Sequence, residues 1–271
     1  MALLIDAILD TIKLIPFLFI TYIVIEWIEH KASEKIIVGI QKTAKFGPLL
    51  GSGFGLLPQC GFSSIASTLY VTRVLSLGTL IAIYLSTSDE MLPIMISNQA
   101  PLDLIVKILS IKFIVGVVIG YLIDLLLRKK KKEEIHIDNF CENEECHCDE
   151  DGIFVSAIKH TLRISFYIFI ITLILNIGLN YINLETVLLS SPFMTTIISA
   201  FVGLIPNCAA SIVITQLYLD GLMSFGSMMA GLLTNAGVGL LILFRINRNL
   251  KENFGIVGIL LVVGIIVGLL F

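Results

Sequence analysis

Apolar residues fill this chain in long runs separated by short polar stretches, and the run lengths set the first expectations. A bilayer-spanning helix needs about 20 consecutive, mostly apolar residues. Residues 3–28, 77–97, 104–127, 154–178, 222–244 and 254–271 meet that need or come close, and each is predicted to span, with Pro93 placed to loosen the second of them. Lys13 and Pro16 interrupt the first run. The opening Met1-Ala2-Leu3-Leu4-Ile5-Asp6 has neither a basic region nor a small-residue cleavage site, so it is read as the start of a membrane helix rather than a cleaved signal. Four shorter runs, 46–57, 60–72, 192–205 and 208–219, are too short to cross alone, and they adjoin in pairs at Pro58 and Pro206. Proline removes an amide donor and clashes with the preceding turn, so each pair should be two half-helices rather than one helix. Irregular backbone at bilayer depth is tolerated only where protein encloses it or it lines a cavity.

The two proline breaks are copies of each other. Gly55-Leu56-Leu57-Pro58-Gln59-Cys60-Gly61-Phe62-Ser63 returns 148 residues later as Gly203-Leu204-Ile205-Pro206-Asn207-Cys208-Ala209-Ala210-Ser211. Between 55–85 and 203–233, eleven of 31 positions are identical without a gap, among them Leu69/Leu217, Tyr70/Tyr218, Ser76/Ser224, Gly78/Gly226 and Ala82/Ala230. Apolar bias would match Leu with Leu, but not Pro, Cys, Tyr and two Gly in one register. Gly116 and Gly120 recur as Gly264 and Gly268, a spacing suited to close helix packing. Duplication of this kind in an apolar chain is the signature of a transporter with two pseudo-symmetric halves. The predicted organisation is residues 1–132 as a first membrane repeat, 133–152 as a linker and 153–271 as a second repeat.

Charge then chooses the topology. If each broken pair re-enters and returns, residues 29–45, Arg73, 128–163 and 245–251 share one side and hold nearly all the Lys and Arg. The other side receives 98–103, 179–191 and Asp220-Gly221, which hold none. By the positive-inside rule the basic side is cytoplasmic, the halves are inverted and the N-terminus lies outside. Lys107 and Lys112 are exceptions, read as side chains snorkelling from an outer helix end. The fold class is therefore an all-α polytopic membrane protein of two inverted repeats. Each repeat has three spanning helices and a re-entrant pair of half-helices, broken at Pro58-Gln59-Cys60 or Pro206-Asn207-Cys208. A composition of 56% hydrophobic and 14% charged residues, with mean hydropathy +0.96, leaves no soluble domain of useful size.

Candidate chemistry gathers in three places. The breaks supply Gln59, Cys60 and Ser63 from one repeat and Asn207, Cys208 and Ser211 from the other, neutral groups able to ligate a solute inside a membrane. Helix ends there offer both free carbonyls and free amides, so the dipoles alone leave the sign of the solute open. Ser86-Thr87-Ser88-Asp89-Glu90 lies midway along the 77–97 run, where a carboxylate costs about 2.5–3.5 kcal/mol to insert and marks an ion or proton path. Ser88, Asp89 and Glu90 are candidate ion ligands, and Asp89 or Glu90 is the candidate for proton coupling. The second repeat has Thr234-Asn235-Ala236-Gly237 instead, leaving Asn235 as a neutral partner. Oxygen ligands suit hard ions such as Mn²⁺, whereas the two thiols favour softer metals or trivalent arsenic. The linker carries His136, Cys141, Cys146, His147 and Cys148 among many acids, a set able to capture thiophilic metal although its spacing matches no standard zinc finger. The bland alternatives are polar-capped helix breaks, a structural protonated carboxyl and a solvated linker.

At these residues the chain resembles a family of bacterial and archaeal membrane proteins, the ten-helix heavy-metal exporters, labelled variously as arsenic efflux proteins or manganese transporters. The segments that carry the resemblance are 55–63, Leu85-Ser86-Thr87-Ser88-Asp89-Glu90-Met91-Leu92-Pro93, 203–211 and Gly231-Leu232-Leu233-Thr234-Asn235-Ala236-Gly237-Val238-Gly239. The resemblance implies efflux of a metal or metalloid from the cell.

The sequence thus predicts a secondary exporter in the cell membrane and no enzyme. Mn²⁺ or a related divalent cation is favoured, and arsenite or another heavy metal comes next. No P-loop, H-E-x-x-H or G-x-S-x-G motif occurs, and no cofactor is called for. Its partners are the transported ion and the bilayer; self-association as homo-oligomers is compatible with the sequence, nucleic acid binding is not. Two other readings remain at this stage: a carrier of a small sulfur-containing or oxyanion species, and an intramembrane thiol oxidoreductase using Cys60 and Cys208, which needs Cα atoms within about 7 Å.

Overall fold

The computed structural model describes residues 46–58, 60–88, 90–127, 148–181 and 192–271, with isolated helical positions between 8 and 23. The side chains of Cys60, Cys148 and Cys208 fall outside the description. The described elements are helices: α1 (Gly47–Gly55), α2 (Cys60–Val71), α3 (Leu77–Ser86), α4 (Met91–Ser97), α5 (Leu102–Leu127), α6 (Cys148–Tyr181), α7 (Pro192–Gly203), α8 (Cys208–Leu219), α9 (Phe225–Thr234), α10 (Gly239–Ile246) and α11 (Leu250–Leu270). No strand occurs among the described residues. The breaks at Pro58 and Pro206 fall where the sequence placed them. The first run, 3–28, lies mostly outside the described residues. Helix α6 starts at Cys148, so it takes in the last residues assigned to the linker.

Neither the 77–97 nor the 222–244 run is one continuous helix: α3 ends at Ser86 and α4 begins at Met91, and α9 ends at Thr234 and α10 begins at Gly239. Different chemistry breaks each one. An unbroken helix would put the Pro93 ring against the carbonyl of residue 89. Instead Pro93 sits in the first turn of α4, where the missing N–H is not required. In the second repeat the side-chain Oδ1 of Asn235 accepts from Gly237 N at 2.9 Å, and Gly237 turns with φ of +56°, a conformation open to glycine. Each unwound pair is still long enough to cross a bilayer, as Leu77–Ser97 and Phe225–Ile246, and Leu250–Leu270 is a third such segment.

The pairwise packing repeats under the same shift of 148. Helix α1 packs on α3 and α5, as α7 packs on α9 and α11; α3 packs on α5 as α9 on α11. Helix α2 reaches across to α10 of the other repeat, and α8 reaches across to α4. The identical residues explain the likeness. Ser76 and Ser224 are N-caps, accepting from Thr79 N at 3.1 Å and Ser227 N at 3.2 Å. A Cβ on Gly120 would lie 2.7 Å from Gly78 O, and one on Gly268 would lie 2.7 Å from Gly226 O. For Gly116 and Gly264 the same distance, to Ala82 O and Ala230 O, is 2.9 Å. Helices α2 and α8 end in the same motif: Arg73 N and Val74 N donate to Tyr70 O and Leu69 O, while Gly221 N and Leu222 N donate to Tyr218 O and Leu217 O. Both terminators are left-handed, Arg73 at φ +60° and Gly221 at +73°. Arginine pays about 1–2 kcal/mol there that glycine does not.

Directions follow from the contacts. Gly47 lies beside Thr79 and Gly55 beside Ser86, so α1 runs parallel to α3. Helix α2 is joined to α3 by the short turn at residues 72–76. Thr196 beside Ser227 and Ala200 beside Thr234 place α7 parallel to α9 likewise. Helix α3 begins next to the end of α5, where Gly78 N donates to Asp124 Oδ1 at 2.9 Å. Helix α9 begins next to the start of α5, where the Lys107 ammonium lies 4.5 Å from the Phe225 ring centre. Gly78–Ser86 and Gly226–Thr234 are buried throughout, as expected of helices that are apolar on all sides and enclosed by others. Helices α5 and α11 instead show Val118, Leu122 and Leu125, and Val262, Ile266 and Leu269, on an exposed apolar face.

Candidate functional site

Four interruptions of helix, two per repeat, interlock at one level of the fold. Gly55 O, at the end of α1, accepts from Ser88 N at 3.2 Å, which stitches the Pro58 break to the unwound segment after α3. Ser63, one turn into α2, abuts Gly239 at the start of α10; a Cβ on Gly239 would come within 2.7 Å of Ser63 O. There Ser67 Oγ lies 2.7 Å from Ser63 O, from Gly239 O and from Tyr84 Oη. One hydroxyl has one proton, so Tyr84 donates to Ser67 and the Ser67 proton is shared between the two carbonyls. This knot joins α2 and α3 of the first repeat to α10 of the second. Ser67→Ala is expected to cost about 1–3 kcal/mol by stranding the wholly buried Tyr84 hydroxyl, and adding Tyr84→Phe should recover part of that loss, as read by thermal unfolding in detergent. Thr215 holds the register position of Ser67 in the second repeat, and among the described residues its buried hydroxyl makes no hydrogen bond.

The predicted site residues divide into three groups. Ser63, Ser88, Asn207, Ser211 and Asn235 are all buried. Asn207 caps α8, its Oδ1 accepting from Ala209 N at 3.2 Å, and Asn235 holds its own turn as described above. Glu90 is only partly buried, at the start of α4. Gln59 and Asp89 lie outside the described residues, as do the side chains of Cys60 and Cys208 and the linker residues His136, Cys141, Cys146 and His147. Among the described residues no group of three His, Cys, Asp or Glu could hold a metal.

Sequence reasoning missed the residue at the centre. Lys112 is 1% exposed, and its ammonium donates to Thr87 O and, at 2.9 Å, to Leu232 O. It does not snorkel. Lys112 is the eleventh of 26 residues of α5, about 15 Å along it, a depth that marks an ionisable residue as functional. The two carbonyls sit at the C-terminal ends of α3 and α9, where the last turn has no amide partner within its own helix. Both helices therefore point the negative ends of their dipoles at one place, from both repeats, and a cation fills it. Leu260 holds the register position of Lys112 in the second repeat, so this charge, like Asp89 and Glu90, belongs to the first repeat alone.

The two ends of the structure are joined differently. At the α2 terminus, Arg73 pairs with Glu252 at 3.1 Å, Tyr70 Oη donates to the same carboxylate, and Asn247 and Asn249 donate to its other oxygen at 3.4 Å each. This clamp ties α2 of one repeat to α11 of the other. The opposite end has the Lys107–Phe225 contact in its place.

The chain matches the model of a family described as "Putative, 10TM heavy-metal exporter", over residues 1–180 and 153–271. No curated protein and no solved structure matches it. With both repeats and all four helix breaks inside the match, the chain belongs to this family of multi-span heavy-metal exporters.

Proposed function

We propose that the protein is a secondary exporter of a metal ion, with Mn²⁺ or a related divalent cation favoured over arsenite or another heavy metal, working by alternating access between two inverted repeats. The observation that carries this reading is the convergence of the C-terminal ends of α3 and α9 on a buried ammonium. Two helix ends that stabilise one cation suit another, and they disfavour the oxyanion carrier. Buried hydroxyls, amides and main-chain carbonyls around the breaks are hard oxygen ligands, which suits Mn²⁺. Asp89 and Glu90 would bind the ion or carry the coupling proton, with Gln59, Cys60, Ser63, Ser88, Asn207, Cys208, Ser211 and Asn235 lining the path. Inversion is supported by α3 and α9 starting at opposite ends of α5, and re-entrance by the parallel course of α1 and α3. The Arg73–Glu252 clamp lies with Arg245, Arg248 and Lys251 at the basic end, taken as cytoplasmic, so opening toward the cytoplasm would break that ion pair.

Expression in a host stripped of its own exporters, with elemental analysis of the cells, tests the reading. Cell-associated Mn is expected to fall severalfold. A Cys60→Ser/Cys208→Ser variant should keep that fall for a hard ion and lose it for arsenic or cadmium. No change in any element would overturn metal export.

A further inference from the structure

We propose that the seam between α4 and α8 is the moving gate of the transporter, opening the central site toward the outside as α8 slides on α4, while the α2–α10 seam keeps its register. The proposal rests on the exporter reading and adds the part of the fold that moves. The two seams are counterparts under the shift of 148, and each joins one repeat to the other. Residues that lock the first correspond to residues that cannot lock the second. Gly239, whose lack of a side chain lets the Ser63 main chain close in, corresponds to Met91. Tyr84, the partner of Ser67, corresponds to Leu232, and the Arg73–Glu252 pair corresponds to Gly221 and Leu104. Thr215 stands where Ser67 stands, wholly buried, and among the described residues its hydroxyl makes no hydrogen bond. A buried hydroxyl without a partner is a cost that this arrangement bears, and that a shifted one offering water or an acceptor would remove.

The side chains at the outer end suit sliding. Met91 and Met95, one turn apart, form the buried face of α4 and are wholly enclosed. Met223, Met228 and Met229 are buried just before and within the first turns of α9, at the same end. The matching positions in the other half are Gly239, Leu243, Leu75, Leu80 and Ile81, with no methionine among them. Methionine is unbranched and polarizable, so it can stay in contact with a neighbour that shifts. Hydrogen bonds of the kind that fix the Ser67 knot have a direction and a register, and thioether contacts have neither. Packed helices that slide past one another in small steps make a shear motion, and the α4–α8 seam lacks the counterparts of the knot and the clamp that would resist it. The Lys107–Phe225 contact at that end joins α5 to α9 and does not bridge α4 to α8.

Hydrogen–deuterium exchange of the purified full chain in nanodiscs reads both seams at once, each serving as the control for the other. Amides of α4 and α8 are expected to exchange about tenfold faster than those of α10 and α2. Length does not explain such a difference, since α8 and α2 have 12 residues each and α4 and α10 have 7 and 8. Thr215→Val removes the unbonded hydroxyl and should slow exchange in α8, raise the thermal midpoint by about 2–4 °C and lower metal export about twofold or more. Thr215→Ser keeps a hydroxyl and should exchange and export like wild type. Mn²⁺ alone, added to wild type, should change exchange in α4 and α8 and leave α2 and α10 as they were. Equal exchange in the two seams overturns the proposal, as does a Thr215→Val variant that exchanges and exports like wild type. If Thr215→Val does not fold, the wild-type comparison decides alone. Faster exchange in α4 and α8 with no response to Mn²⁺ or any other divalent cation supports the gate and counts against the metal reading instead.

Discussion

Gly120→Leu is expected to leave little folded protein in the membrane. The Gly120 Cα faces Gly78 O, with the Pro48 and Ala82 side chains also closing over it, so any Cβ would meet atoms at 2.7–2.9 Å, one of them main chain. Backbone cannot move aside as the tip of a side chain can. Adding one methylene to a filled core costs about 1–3 kcal/mol, and a leucine here adds four carbons where α3 and α5 touch. A loss above about 3 kcal/mol is a large share of the roughly 5–15 kcal/mol that holds a chain folded. Gly268→Leu should behave the same way, since its Cβ would meet Gly226 O and Ala230 Cβ at the matching crossing of α9 and α11. Gly255→Ala and Gly258→Ala are the controls: nothing lies within 4 Å of either position, so each should be neutral or slightly stabilising. Fluorescence-detected size exclusion after detergent extraction reads all four. A monodisperse Gly120→Leu with wild-type thermal stability would show that the glycine stripe is not a packing constraint.

Asp89→Asn is expected to abolish metal export while leaving the protein folded. Asparagine keeps the size of aspartate and one acceptor oxygen, exchanges the other for a donor NH₂, and removes the charge. On the reading proposed above, Asp89 neutralises the arriving divalent ion, and the substitution removes that partner. Leaving a buried charge uncompensated costs about 3–5 kcal/mol, at least about a hundredfold in affinity. Glu90→Gln should have a smaller effect, because Glu90 is partly exposed at the start of α4. Cellular Mn content and extraction profiles, measured on the same cultures, separate lost transport from lost folding. Export by Asp89→Asn at the wild-type rate would remove this carboxylate from the mechanism.

The fold was legible in the sequence where one residue acts through its own backbone. Pro58 and Pro206 break helices wherever they stand, and the repeated Ser76/Ser224 and Gly78/Gly226 report a cap and a close approach that depend on small, fixed geometry. The breaks near 87–90 and 235–238 have local signals in Pro93 and in Asn235 with Gly237, but neither forces a break by itself in a run long enough to span. Tertiary bonds complete them: Ser88 N on Gly55 O, and the Lys112 ammonium on Thr87 O and Leu232 O. The site was half legible for a related reason. Residues shared by the two repeats turn out to be mostly scaffold, whereas the ionisable groups near the breaks, Asp89, Glu90 and Lys112, appear in the first repeat only. Duplication points to the place, and departure from it marks the residues proposed to carry the chemistry. Lys112 shares the 104–127 run with Lys107 and Asp124, and the sequence suggests snorkelling there; only the fold buries it against two main-chain carbonyls. The left-handed Arg73 had no local signal, since only the glycine at its register position, Gly221, suggests that conformation.

The measurement that bears most directly on the account is flux through the purified protein. Reconstituted into liposomes enclosing a metal-sensitive dye, the chain should carry Mn²⁺ across the bilayer down an imposed gradient. Protons should move the opposite way, and Asp89→Asn liposomes should match empty ones. Flux of Mn²⁺ indistinguishable from empty liposomes, with an oxyanion transported instead, would contradict a cation site between the two repeats.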